Sequence, residues 1–174
     1  MESKTRLLGH PAHEVVVSFP MGLLCTAAIF DAVFVVHGGQ TWALVAFYMI
    51  GAGVVGGVVA ALLGIIDYAA IRPNTRAKRI AGLHGLSSVT VVVLFAASWL
   101  LRRGVPTAPK PLALLFSFGG AAFLGLAGWL GGELLSRMGV GIDDGAHLNA
   151  PSSLSGPAAL GAALSTPDSA HFDH

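Results

Sequence analysis

The sequence predicts an all-α integral membrane protein: an antiparallel four-transmembrane-helix bundle with a disordered C-terminal tail. Three observations carry that prediction. Residues 15–36, 41–66, 80–101 and 112–132 are apolar runs, each with at most one acidic, basic or histidine side chain. At about 1.5 Å per residue, each is long enough to cross a hydrocarbon core of about 30 Å. With 54% hydrophobic and 11% charged residues and a mean hydropathy of +0.73, the chain has too little polar surface to coat a soluble core. After Arg137 the composition shifts abruptly to Ser, Ala, Gly, Pro, Asp and His, which cannot bury enough surface to fold alone.

The runs read as helices because a chain in lipid must satisfy its backbone within each segment, and they lack the alternation of membrane-barrel strands. The first helix spans about residues 11–36. Lys4 and Arg6 precede it as in a secretory signal, but Glu14, Asp31 and the lack of a small-x-small cleavage site predict that it is retained. Pro20 is expected to kink it. Gly38-Gly39-Gln40 leads into the second helix, about 41–71, which Pro73-Asn74-Thr75 ends. The third spans about 80–101, and the proline-rich turn from Pro106 to Pro111 precedes the fourth, about 111–137. Short connections favour antiparallel neighbours. The domain is therefore residues 1–142, and 143–174 form the polar tail.

Lys and Arg placement sets the orientation. With a cytoplasmic N-terminus, the inside faces hold Lys4, Arg6, Arg72, Arg76, Lys78, Arg79 and Arg137, against Arg102, Arg103 and Lys110 outside. The expectation is a multi-pass protein of a bacterial inner membrane with both termini cytoplasmic. A net charge of +1 gives no reason to expect nucleic acid; the partner is the lipid bilayer. The single cysteine, Cys25, excludes an intramolecular disulfide. No G-x-S-x-G, H-E-x-x-H or P-loop occurs, so no stand-alone enzyme and no catalytic residue is assigned.

Gly51, Gly53 and Gly56 spell a dinucleotide fingerprint, but without a strand before them that match is empty. Gly53 with Gly57, and Gly56 with Ala60 and Gly64, read instead as faces for close helix packing, as do Gly128 and Gly132.

Ionisable residues in a membrane are costly and mark function. His13 opens the first helix, Asp67 ends the second, His84 starts the third and Glu133 ends the fourth, so antiparallel threading brings all four to one face. His10 joins them if the helix begins near Pro11, since His10, His13 and Glu14 then share a side. Asp31 lies eighteen residues past His13, on the same helical face at the opposite end. It reads as an interfacial carboxylate near water, with His37 beside it.

Gly9-His10-Pro11-x-His13, Phe19-Pro20, Gly64-x-x-Asp67, Arg76-x-x-x-Ile80-Ala81-x-x-His84 and Gly131-Gly132-Glu133 before Gly139-Val140-Gly141 resemble the domain-of-unknown-function 2231 family of predicted bacterial membrane proteins. The resemblance covers residues 9 to about 142. It implies a four-helix membrane domain with no established activity, and relatives joined to Rieske-type modules point to membrane electron transfer.

Three readings of the ionisable layer remain open. In one, a b-type haem is bound by axial imidazoles from His84 and from His13 or His10, with Asp67 or Glu133 orienting a ring. Its electron partner is then a redox protein or a quinone. In the second, His13, His84, Asp67 and Glu133, with His10 nearby, hold a non-haem metal. In the third there is no cofactor: Asp67 pairs with Arg72 or Arg76, His84 bonds a facing carboxylate, and the protein is a scaffold subunit. Glycine faces leave room for a homo-oligomer under each.

Overall fold

The computed structural model describes residues 6–8, 10–142, 146–150 and 152. The expected disorder of the tail falls largely outside this set. Among the described residues the chain forms a two-stranded hairpin, β1 (Arg6–Leu7) and β2 (His10–Pro11), and four helices: α1 (Ala12–His37), α2 (Gln40–Ala70), α3 (Arg76–Arg102) and α4 (Pro111–Met138). All four are long and apolar enough to cross a membrane. α1 packs most closely on α2, and α3 on α4; the α2–α3 and α1–α4 seams are looser and complete the ring. The protein is thus two helical hairpins set side by side.

Local chemistry fixes the ends. α3 begins at Arg76, earlier than the apolar run alone predicts, because the Thr75 hydroxyl accepts from the Lys78 amide at 3.1 Å and caps it. α4 starts on Pro111 and stops at Gly139, whose φ of 62° lets the Val140 amide donate back to the Leu134 carbonyl at 3.0 Å. That turn brings Val140 against Ile71, Ala81 and Leu134. Gly141, at φ 91°, lies so close to Glu14 that a Cβ there would run into its carboxylate. α1 runs through Pro20, which is buried against Gly56.

The centre of the bundle is filled by Leu24, Ala27, Ala46, Ile50, Val91 and Phe95. Small residues let the helices approach. A Cβ on Gly53 would stand 2.6 Å from Leu24 Cδ2, and one on Gly120 would stand 2.7 Å from Phe95 Cδ2. Gly56, Gly57 and Gly64 also pack within the chain, as their spacing predicts. Gly128 and Gly132 do not: nothing lies within 4 Å of their Cβ positions, and in α4 the packing glycines are Gly120 and Gly131. Hydroxyls of Thr26, Ser88, Thr90 and Ser136 donate to carbonyls four residues back, which hides these donors from lipid.

At the end of the bundle away from the hairpin, the structure corrects the sequence reading. Asp31 is not an interfacial carboxylate, and Arg102 is not a loop charge. Both are fully buried, and Arg102 donates to both Asp31 oxygens at 2.7 and 2.8 Å. The Ser98 hydroxyl and Arg102 share the Ala113 carbonyl beside them, at 2.6 and 3.5 Å. His37 lies exposed at the end of α1. A carboxylate and a guanidinium in bidentate contact replace water for each other, which lets both charges face inward.

Candidate functional site

The two hairpins repeat one another. An offset of 71 residues carries His13 to His84, Leu24 to Phe95 and Asp31 to Arg102. An offset of 67 carries Gly53 to Gly120, Ala60 to Ala127 and Gly64 to Gly131. The contacts repeat with the residues. His13 Nδ1 lies 2.8 Å from the Ala60 carbonyl and His84 Nδ1 lies 2.9 Å from the Ala127 carbonyl. The rings pack on Gly64 and Gly131, whose Cβ positions lie 3.1 and 3.3 Å from the respective Cε1 atoms. These equivalences describe an approximate two-fold axis running along the bundle. The imidazoles meet across it at one end, and Asp31 and Arg102 meet across it about 27 Å away, eighteen residues along α1 and α3.

A carbonyl only accepts, so each Nδ1 carries its hydrogen and donates. In the neutral imidazole, Nε2 is then left with its lone pair free. The bond at one nitrogen fixes the tautomer and the ring direction for the other. The ring centres are 6.4 Å apart and the planes cross at 89°.

Both imidazoles line a cavity of about 620 Å³ that draws walls from all four helices. Its surface is mostly apolar, with Glu14, Asp67 and Tyr68 as polar points from the first hairpin. Their equivalents in the second hairpin are Gly85, Leu134 and Leu135. The carboxylates and the phenol of the wall therefore come from the first hairpin alone, while the second contributes His84, Ser88 and otherwise apolar residues. Gly85 and Gly128 leave open space where a side chain would stand.

Of the residues named from sequence, His13, His84, Asp67 and Glu14 come together here. His10 does not share the α1 face, because the helix starts at Ala12; it pairs with Leu7 in the hairpin, is exposed and lies outside the cavity wall. Glu133 also lies outside that wall, held by Arg76 at 2.8 Å. The set His13, His84, Asp67 and Glu133 therefore does not converge, and no group of three or more His, Cys, Asp or Glu side chains able to hold a metal ion occurs among the described residues. His84 bonds a backbone carbonyl where a carboxylate partner was expected.

A family model described as a predicted membrane protein, DUF2231, matches residues 9–144. The chain belongs to that family. No curated protein and no solved structure matches it. The match ends just past the Gly139–Gly141 turn, so the DUF2231 domain contains both hairpins, the histidine pair, the buried ion pair and the cavity.

Proposed function

We propose that this DUF2231 protein is a membrane electron-transfer subunit whose four-helix domain holds a b-type haem between His13 and His84. The observation that carries the reading is the pair of pre-oriented imidazoles, each with Nδ1 tied to a carbonyl and Nε2 left free, at 6.4 Å between ring centres. His13 and His84 would hold the haem iron through their free Nε2 atoms. The donor set fits as well. A haem would need two ligands from the protein, whereas a bare ion asks for three or four, and no such group of side chains occurs among the described residues. The cavity, at about 620 Å³, lies within the range of cofactor sites.

When bound, haem supplies one-electron exchange, with a potential set by its axial ligands and surroundings. The chain supplies position and environment. The Ala60 and Ala127 carbonyls orient the rings, Gly64 and Gly131 leave them room against the neighbouring helix, and the mostly apolar lining lowers the local polarity. Orientation with the histidine end cytoplasmic is supported by charge. Arg102 is neutralised inside the bundle, leaving Arg103 and Lys110 at its end against Arg72, Arg76, Lys78, Arg79 and Arg137 at the other.

The test is an absorption spectrum of the detergent-purified protein, air-oxidised and then dithionite-reduced, from cells supplied with a haem precursor. The expected result is a reduced b-type spectrum that is lost in both His13→Ala and His84→Ala and retained in His10→Ala. A colourless protein without iron sinks the reading and leaves the histidines as a packing layer in a scaffold subunit.

A further inference from the structure

The seam between α2 and α3 is closed at two points and open between them. Towards the bundle centre, Gly57 packs on Val92, whose Cγ2 lies 3.0 Å from the glycine's Cβ position. Near the histidine end, Tyr68 Oη lies 3.7 Å from the Cβ position of Gly82. Between these contacts Gly85 faces open space. The stretch from Gly82 to Val92 rises about 15 Å. Ile65 of α2 and Leu86 and Val89 of α3 border the gap; they are 63, 66 and 52% exposed, and all three also line the histidine cavity. The cavity is therefore continuous with the lipid-facing surface.

The internal repeat supplies a comparison within the molecule. Its two-fold carries the α2–α3 seam onto the α4–α1 seam. There the position of Gly85 is taken by Glu14, and the turn after α4 lies against it through Gly141. The same position thus holds a carboxylate at the α4–α1 seam and leaves open space at the α2–α3 seam.

We infer that the α2–α3 gap is a lateral window through which the neutral head of a lipid-soluble quinone enters the cavity from the bilayer. The inference rests on the haem reading only in making that quinone an electron partner; binding at the window stands or falls by itself. Three features select the occupant. The aliphatic border suits a hydrocarbon tail left in lipid and excludes a sugar or an ion. Glu14 and Asp67 inside the cavity oppose an anionic phospholipid head. The Tyr68 hydroxyl, at the histidine-side edge of the window, is a donor placed for a quinone carbonyl.

The full chain in zwitterionic nanodiscs, irradiated with a short-tailed azidoquinone and mapped by mass spectrometry, tests this. Label is expected on residues 65–68 and 82–89, displaced by decylubiquinone. Val89→Trp and Ile65→Trp, which fill the window from opposite sides, each lower labelling roughly tenfold. Val93→Trp, equally lipid-facing but about one turn beyond, leaves it unchanged. Label spread over the lipid-facing surface, or undiminished in both window variants, overturns the window. Displacement by anionic phospholipid and not by decylubiquinone overturns the quinone. Since the readout is the label, a labelled window in a protein without a b-type spectrum separates failure of the haem reading from failure of this one.

Discussion

Asp31→Asn keeps the shape of a fully buried side chain and deletes half of an ion pair, leaving Arg102 with its charge but without its bidentate acceptor. The two bonds of 2.7 and 2.8 Å are made at zero exposure for both residues, so solvent screening does not soften the loss. Breaking such a pair from one side costs about 3–5 kcal/mol, and Arg102→Met is expected to cost a similar amount. The internal repeat makes a sharper prediction for the double variants. Asp31 and Arg102 occupy equivalent positions, so Asp31→Arg with Arg102→Asp regenerates the pair with its direction reversed. It should recover most of the loss, to within about 1–2 kcal/mol of the parent. The residual reflects the second hairpin's Ser98, which bonds the Ala113 carbonyl beside Arg102 and whose equivalent in the first hairpin is Ala27. Asp31→Leu with Arg102→Met, which removes both charges, should also lie near the parent. Reversible unfolding in mixed micelles, read by circular dichroism, gives the double-mutant cycle. Single variants that lose less than about 1 kcal/mol, the range of exposed pairs, would refute burial of the pair; a swap no better than the sum of the singles would refute the equivalence.

Gly120→Ala places a Cβ 2.7 Å from the buried Phe95 ring and should cost about 1–3 kcal/mol by overpacking, whereas Gly128→Ala meets nothing and should gain up to about 1 kcal/mol of helix propensity; the same unfolding assay compares them. Gly64→Val pushes on His13, whose Cε1 already lies 3.1 Å from the Cβ position. It should lower haem occupancy, measured as absorbance per protein, more than Gly125→Val, which faces open space. Arg76→Ala removes an ion pair that is 59% exposed on the arginine side, and the unfolding free energy should fall by less than about 1 kcal/mol.

The helices were legible because hydropathy over twenty or more residues is a property of each segment alone, and so was the gathering of His13, His84 and Asp67 at one face. The start of α3 was less so, since Arg76 to Arg79 make a polar first turn that apolar length does not register. His10 went astray because helical spacing was carried past the helix: α1 starts at Ala12, one residue from the expected start near Pro11, and His10 lies in the strand before it. The ion pair was missed for a different reason. Asp31 was placed correctly on the His13 face, but Arg102 was assigned to a loop by its charge. The signal was present in the spacing: His84 to Arg102 is the same eighteen residues as His13 to Asp31, five whole turns on each helix. The repeat escaped notice because aligned positions differ in kind, as with Leu24 and Phe95 or Ile50 and Ser117, and because the connection between paired helices shifts the offset from 71 to 67.

That repeat explains why the two ends of the bundle carry such different chemistry. Positions facing each other across a two-fold axis are the same position counted twice. A site made of identical groups, such as two imidazoles with equivalent carbonyl partners, is what a symmetric pair of hairpins builds directly. An ion pair on the axis is the opposite case. Identical hairpins would set Asp against Asp or Arg against Arg, each an uncompensated buried charge. Asp31 and Arg102 therefore require two different halves, and with them a chain that keeps one of each together. The same divergence separates Glu14 from Gly85 and Tyr68 from Leu135 around the cavity. The paired imidazoles keep the symmetry of the two hairpins, and the ion pair and the polar points of the cavity break it.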